Sequence, residues 1–216
     1  MKSRQEIKAL AREGLRAQRG TAILLGIVVF GLSFALGFVG GILGIIHPVL
    51  TALVMLAGFM VLFVMIINWE GEDVKLYTRE TASVGALFSG LKVNFWRKLG
   101  GLLWMSLFAA LWSMIPIVGI IKGLSYSLTP YILATCPNVK AREALKLSMR
   151  MTKGYKGELF VLGLSFIGWI LLGTLTLHIL TIVFVFPYMF ITYAGFFVEL
   201  RDKAIADGVI SAEELA

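Results

Sequence analysis

Long uncharged apolar runs constrain this chain more than any other feature. Thr21 to Ile46 carries no charged side chain, and beyond His47-Pro48 the run Val49 to Ile67 carries none either. A helix that crosses a bilayer needs roughly 20 mostly apolar residues, and both runs meet that length. Asn68-Trp69-Glu70 closes the second, with Trp69 placed to sit at a headgroup boundary. Leu99 to Cys136 is a still longer apolar region whose one charge is Lys122, and Leu159 to Leu177 and Ile179 to Val198 follow, separated by His178. A chain that is 58% hydrophobic and 15% charged is neither a water-soluble globule nor a disordered segment. Its single Cys excludes an internal disulfide and a Cys-based zinc cluster.

Charge placement sets the expected topology. Lys and Arg fall in clusters at 1–20, 70–98, 140–156 and 201–203, and Lys122 is the exception. The region from Leu99 to Cys136 can cross once with a re-entrant piece, or twice with a turn near Pro116 to Gly123. Two crossings return every basic cluster to one face, which the positive-inside rule makes cytoplasmic. Lys122 then reaches outward from the turn. A net charge of +7 therefore faces a membrane surface, and no nucleic acid is expected as partner. The N-terminus does not read as a signal peptide, because an amphipathic stretch precedes a first span too long for an h-region.

Each pair of apolar runs follows a basic segment with helical spacing. Ile7, Leu10, Ala11 and Leu15 share a face in the first, as do Val84, Leu87, Phe88, Leu91 and Phe95 in the second. In the third, Ala141, Leu145, Ser148, Met149 and Thr152 lie opposite Lys146, Arg150 and Lys153. Such helices lie in the membrane interface with their bases on anionic headgroups. The headgroup contacts expected are Lys8, Arg12, Arg16, Lys92, Arg97, Lys98, Lys146, Arg150 and Lys153. The segments beginning at Leu10, Ala86 and Ala144 also align with one another, which suggests a threefold repeat of interfacial helix plus hairpin.

The expectation is an all-α polytopic membrane protein in a single domain, 1–216. Its interfacial helices lie at 1–20, 82–98 and 139–154. Its six spans pair as 21–46 with 49–67, 99–115 with 117–136, and 159–177 with 179–198, and a cytoplasmic tail covers 199–216.

From Tyr126 onward particular strings carry a resemblance. They are Tyr126-Ser-Leu-Thr-Pro-Tyr-Ile-Leu-Ala134, then Pro137, then Ala141-Arg-Glu-Ala-Leu-Lys-Leu-Ser148, then Gly154-Tyr-Lys156. Leu164-Ser-Phe-Ile-Gly-Trp169 and Pro187-Tyr188 complete the set. The chain resembles the bacterial integral membrane family catalogued as domain of unknown function 975, over about residues 126–200. Thr135-Cys136 and His178 depart from the family's usual residues. The resemblance implies a multi-helix protein of the bacterial cytoplasmic membrane, and it supplies no catalytic residues.

The chemistry-bearing side chains do not converge in this topology. His47 and His178 fall at outer turns without a carboxylate or thiol beside them, so no metal ligand set and no cofactor are expected. Carboxylates interleave with bases at helical spacing, as on solvated faces, and no catalytic residue is expected. The expected function is a non-enzymatic one, engagement of anionic lipid, of a protein partner or of a second copy through the basic helices. The alternative is a transporter or channel for a lipid or neutral solute. Its pocket would lie between the two Pro-Tyr helices and be lined by Tyr126, Ser127, Thr129, Tyr131, Tyr188 and Thr192. Ser211 with Glu214 reads as a capping box after a turn at Asp207-Gly208.

Overall fold

A computed structural model describes residues 1–176 and 179–215. His178, expected in an outer turn, and Leu177, the last residue of an expected span, lie outside the described residues. The described chain is helical throughout, with no strand. In order it runs α1 (Arg4–Ala17), α2 (Arg19–Ile46), α3 (Pro48–Thr78) and α4 (Gly85–Ser89) with a 3-10 turn at Gly90–Lys92. It continues through α5 (Phe95–Ser113), α6 (Pro116–Tyr126), α7 (Thr129–Thr135), α8 (Ala141–Met151), α9 (Lys156–Leu164) and α10 (Ile167–Leu175). A π-helical turn at Thr181–Val185 leads into α11 (Phe186–Ala206), and a 3-10 turn at Glu213–Leu215 ends the described chain.

Five segments are long and apolar enough to cross a membrane: Arg19–Ile46, Pro48–Thr78, Pro116–Thr135, Lys156–Leu175 and Thr181–Ala206. The expected sixth, carried by α5, is not among them. Arg97 and Lys98 occupy its first turn, and only Leu99 to Ser113 is free of charge. That length rises roughly 22 Å at 1.5 Å per residue, short of a hydrocarbon core of about 30 Å. Large apolar side chains stand exposed midway along α2 at Phe34 and around the hairpin tips, among them Ile45, Ile46, Val49, Met114, Ile117 and Leu175. Apolar surface of this extent is suited to lipid rather than water.

Local chemistry sets the turns. His47 caps both neighbours: its backbone N–H donates to Leu43 O at 2.8 Å, and its Nδ1 accepts from Leu50 N at 3.1 Å. Pro48 occupies the first turn of α3, where a missing N–H costs nothing. Pro116 does the same for α6. Lys122 lies over the Trp112 ring, 4.9 Å from its centroid, across the α5–α6 hairpin.

The basic amphipathic segments differ from flat interfacial helices. In α1, Ile7, Ala11 and Leu15 are buried against α3 and α11, and a Cβ at Gly14 would collide with the Leu76 carbonyl. In α8, Ala144, Leu145, Leu147, Ser148 and Met151 are buried, packed against α5, α6 and α7. The apolar stripe of each docks on protein. The segment expected as one helix over 82–98 is broken: α4 and the 3-10 turn end at Val93, Asn94 adopts φ 53°, and Arg97 and Lys98 open α5. The three segments therefore do not share one conformation, and the threefold repeat is not evident in their fold.

The expectation that carboxylates occupy solvated faces is also corrected. Helix α3 continues past Ile67 with its buried face intact through Asn68, Trp69, Glu72, Asp73, Leu76 and Tyr77. Asp73 is 1% exposed. Tertiary packing of α3 against α7 and α11 overrides the polar composition of this stretch.

Candidate functional site

Two cavities at the basic end of the molecule share no lining residue. The first is a groove of about 460 Å³ lined by Arg12, Leu15, Arg16, Arg19, Trp169 and Phe184. Helical spacing places Arg12 and Arg16 on one face of α1, and Arg19 opens α2. Arg12 Nε donates to the Tyr188 hydroxyl at 3.1 Å, and its guanidinium lies 5.2 Å from that ring's centroid. One turn earlier, Lys8 Nζ donates to Ser165 Oγ at 2.5 Å and sits 4.4 Å from the centroid of Phe166. Burial against these residues pulls Lys8 below the usual lysine range, and the Arg12 and Arg4 charges add to the effect. The groove thus joins three guanidinium groups to two aromatic rings, with no carboxylate in its lining.

The rings are held by aromatic packing. Trp169 tilts against Phe184 at 5.6 Å, Phe184 stacks on Tyr188 at 5.6 Å, and Tyr188 meets Phe166 edge-on at 5.3 Å. The break between α9 and α10 at Ser165-Phe166 is what brings Ser165 and Phe166 to Lys8.

The second cavity, about 510 Å³, lies among α3, α4, α5, α7 and α11. Its polar lining includes Asn68, Glu72, Lys75, Glu80, Ser89, Lys98, Thr135 and Arg201. Glu72 accepts from Lys75 Nζ and from Ser83 N, each at 2.7 Å. Sequence reasoning missed this side because Glu72 read as part of a solvated face and Lys98 as a headgroup contact. The available signal was the i, i+4, i+7 spacing of Asn68, Glu72 and Lys75, which continues the helical period of the apolar run.

The Pro-Tyr residues lie elsewhere, in packed protein. Helix α6 ends before Ser127-Leu128, and Pro130 sits in the first turn of α7. The Ser125 carbonyl at this break accepts from Ser148 Oγ at 2.8 Å and from Thr152 Oγ1 at 3.4 Å, and Leu128 N donates to Ser148 Oγ at 3.3 Å. Tyr126 and Thr129 are buried, and Ser127 Oγ donates to its own helix at Leu124 O. Tyr131 stacks on Phe197 at 5.4 Å, whereas Tyr188 packs nine positions earlier along α11 against Phe166 and Phe184. Thr192 Oγ1 donates to Tyr188 O at 2.6 Å.

The remaining expected headgroup residues are dispersed. Lys92 and Lys153 are exposed. Lys146 and Arg150 line a smaller cleft with Glu143 and Glu214, and Arg150 is bonded to Glu214 at 2.5 Å. Arg97 donates to Leu133 O and Val139 O, each at 2.6 Å, and Lys98 is buried.

This architecture defines a helical protein of the membrane-embedded class, with its polar sites gathered at one end. A family model described as a protein of unknown function (DUF975) matches residues 115–204, in agreement with the resemblance carried from Tyr126 onward. The match takes in α6 through most of α11 and with them Trp169, Phe184 and Tyr188, but not the Arg residues of α1 and α2. No curated protein and no solved structure matches the chain.

Proposed function

We propose that this chain is a non-enzymatic, multi-pass protein of the bacterial cytoplasmic membrane that engages anionic phospholipid through the groove between α1 and α10. The groove carries the reading: Arg12, Arg16 and Arg19 supply positive charge beside Trp169 and Phe184. Aromatic rings of this kind favour the headgroup level, and guanidinium groups suit phosphate oxygens. A lipid phosphate on the arginines would leave its acyl chains along the rings and the exposed Leu171 and Leu172.

The proposed topology has six crossings in three hairpins, with both chain ends and the basic clusters cytoplasmic; the short α5 crosses with the exposed Met114 and Ile115 extending its outer end and the bilayer thinning to meet it. Its support is the second hairpin, where Arg97 at the start of α5 bonds to Leu133 and Val139 at the close of α7. The two ends of that hairpin lie together, so α5 leaves and α6–α7 returns to one side. The transporter reading gains no support, because Tyr131 and Tyr188 are buried against different aromatic partners.

The test is lipid retention. Full-length protein in nanodiscs of mixed phosphatidylglycerol and phosphatidylcholine should enrich the anionic lipid in its bound fraction by mass spectrometry. Arg12→Ala with Arg16→Ala should abolish the enrichment while the protein stays folded. Equal retention of both lipids by the unmodified protein would refute the reading.

A further inference from the structure

The cavity among α3, α4, α5, α7 and α11 is built around Lys98. This side chain is 7% exposed, and its Nζ donates to Asn68 Oδ1 at 2.7 Å and to Gly90 O at 3.3 Å. Asn68 is held in turn by its Nδ2 donating to Leu87 O at 3.0 Å. Gly90 is required here, since a Cβ would overlap the Asn68 amide. An ammonium has three donors, so one is left over. Among the described residues no carboxylate pairs with Lys98.

A buried cation that lacks a counter-charge is costly. The other charges of the lining do not supply one. Glu72 is taken by Lys75 and Ser83 N, and Glu80 accepts from Thr78 Oγ1 at 2.8 Å. Arg201 has its Nε and Nη2 on Asp202 Oδ1 at 2.9 and 2.8 Å. Lys75 pairs with Glu72 and Arg201 with Asp202, so Lys98 is the cation of the lining that no carboxylate pairs with among the described residues. The volume, about 510 Å³, suits a small ligand.

We propose that this cavity binds a singly charged phosphate group, with Lys98 as its main ligand and Arg201, Ser89 and Thr135 around it. Phosphate fits better than carboxylate, since carboxylate recognition favours a free arginine fork and the Arg201 fork is occupied. Lysine meets phosphate as a point charge, and the Ser89 hydroxyl and the Arg201 Nη1 left over from the bond to Asp202 line the same cavity from α4 and α11. The group is either the phosphodiester of a lipid headgroup or a soluble phosphate. This site is distinct from the α1–α10 groove and does not depend on it.

The experiment compares thermal unfolding of the full chain in detergent with sodium phosphate and with sodium chloride at matched ionic strength. In parallel, phospholipid retained after delipidation is measured by mass spectrometry in an Arg12→Ala/Arg16→Ala background, which removes lipid held at the α1–α10 groove. A phosphate-specific rise in Tm identifies a soluble ligand, and retained phospholipid without that rise identifies a headgroup. In either case Lys98→Gln should weaken binding about tenfold, the loss of one charged hydrogen bond, and Lys140→Ala, at an exposed base outside both cavities, should leave it unchanged. Arg201→Gln keeps Lys98 and Asn68 in place, guards against a folding defect, and should weaken the same response. The proposal is overturned if the unmodified chain shows neither effect, or if both Lys98→Gln and Arg201→Gln respond in full.

Discussion

Arg97 Nη2 lies 2.6 Å from the carbonyl oxygen of Leu133, while Nη1 of the same side chain lies 2.6 Å from that of Val139. One guanidinium thereby closes the second hairpin at its base. The carbonyls it meets are at the C-terminal end of α7 and in the loop beyond, where helical partners run out. A cation there also complements the helix dipole.

Replacing Arg97 with Ala removes both bonds and leaves two carbonyls short of a donor. The expected cost is about 2–4 kcal/mol for a pair of charged hydrogen bonds. Thermal unfolding in detergent should show a clear fall in Tm, and Arg97→Lys should recover only part of it, because an ammonium cannot reproduce the planar fork.

Ser148 plays the same part at the break between α6 and α7. Its hydroxyl donates to Ser125 O and accepts from Leu128 N in a fully buried setting. Ser148→Ala should destabilise the protein by about 1–3 kcal/mol, since buried backbone groups lose their partner. Ser148→Thr, if its extra methyl fits beside Leu145, should cost less. Denaturant titration followed by tryptophan fluorescence would rank the two.

Local rules made much of this molecule legible, and long-range packing hid the rest. His47-Pro48 reads as a turn because it separates two uncharged apolar runs, and it holds: Pro48 takes the first turn of α3 and His47 Nδ1 caps it. Ser211 and Glu214 form the expected reciprocal pair, with Glu214 N on Ser211 Oγ at 3.2 Å and Ser211 N on Glu214 Oε2 at 2.8 Å. The apolar stripes of α1 and α8 were also readable, but a stripe of Ile7, Ala11 and Leu15 has the same period whether it meets lipid or another helix. That ambiguity explains why Lys8 and Arg12, expected to face the bilayer surface, are found on Ser165 and Tyr188. Asp73 was illegible for a related reason: nothing in a polar stretch announces that α7 and α11 will cover it.

The proposed topology predicts opposite labelling for two new cysteines in a Cys136→Ser background. His47→Cys, at the tip of the first hairpin, should react with an impermeant maleimide added to intact cells. Ser83→Cys, in the exposed segment after α3, should react only once the membrane is opened. Equal reaction of the two in intact cells would contradict the paired crossings.

Cys136 itself reports on the tail. It is buried at a cleft shared with Arg201, Asp202, Ala212 and Leu215, and the tail is anchored by Arg150, which bonds Glu214 and the Val209 carbonyl. Glu214 is held below the usual carboxylate range, first by the Arg150 hydrogen bond and then by the Ser211 backbone. A carboxylate whose folded pKa is depressed contributes stability above its unfolded pKa and loses it as pH falls through the folded one. The tail should therefore stay docked at neutral pH and loosen on acidification below the normal glutamate range. Reaction of Cys136 with 4,4′-dithiodipyridine, which proceeds in acid, should accelerate over that window. Arg150→Ala should give fast reaction already at neutral pH and flatten the acid dependence; a rate indifferent to both acid and Arg150→Ala would show that the tail does not guard the thiol.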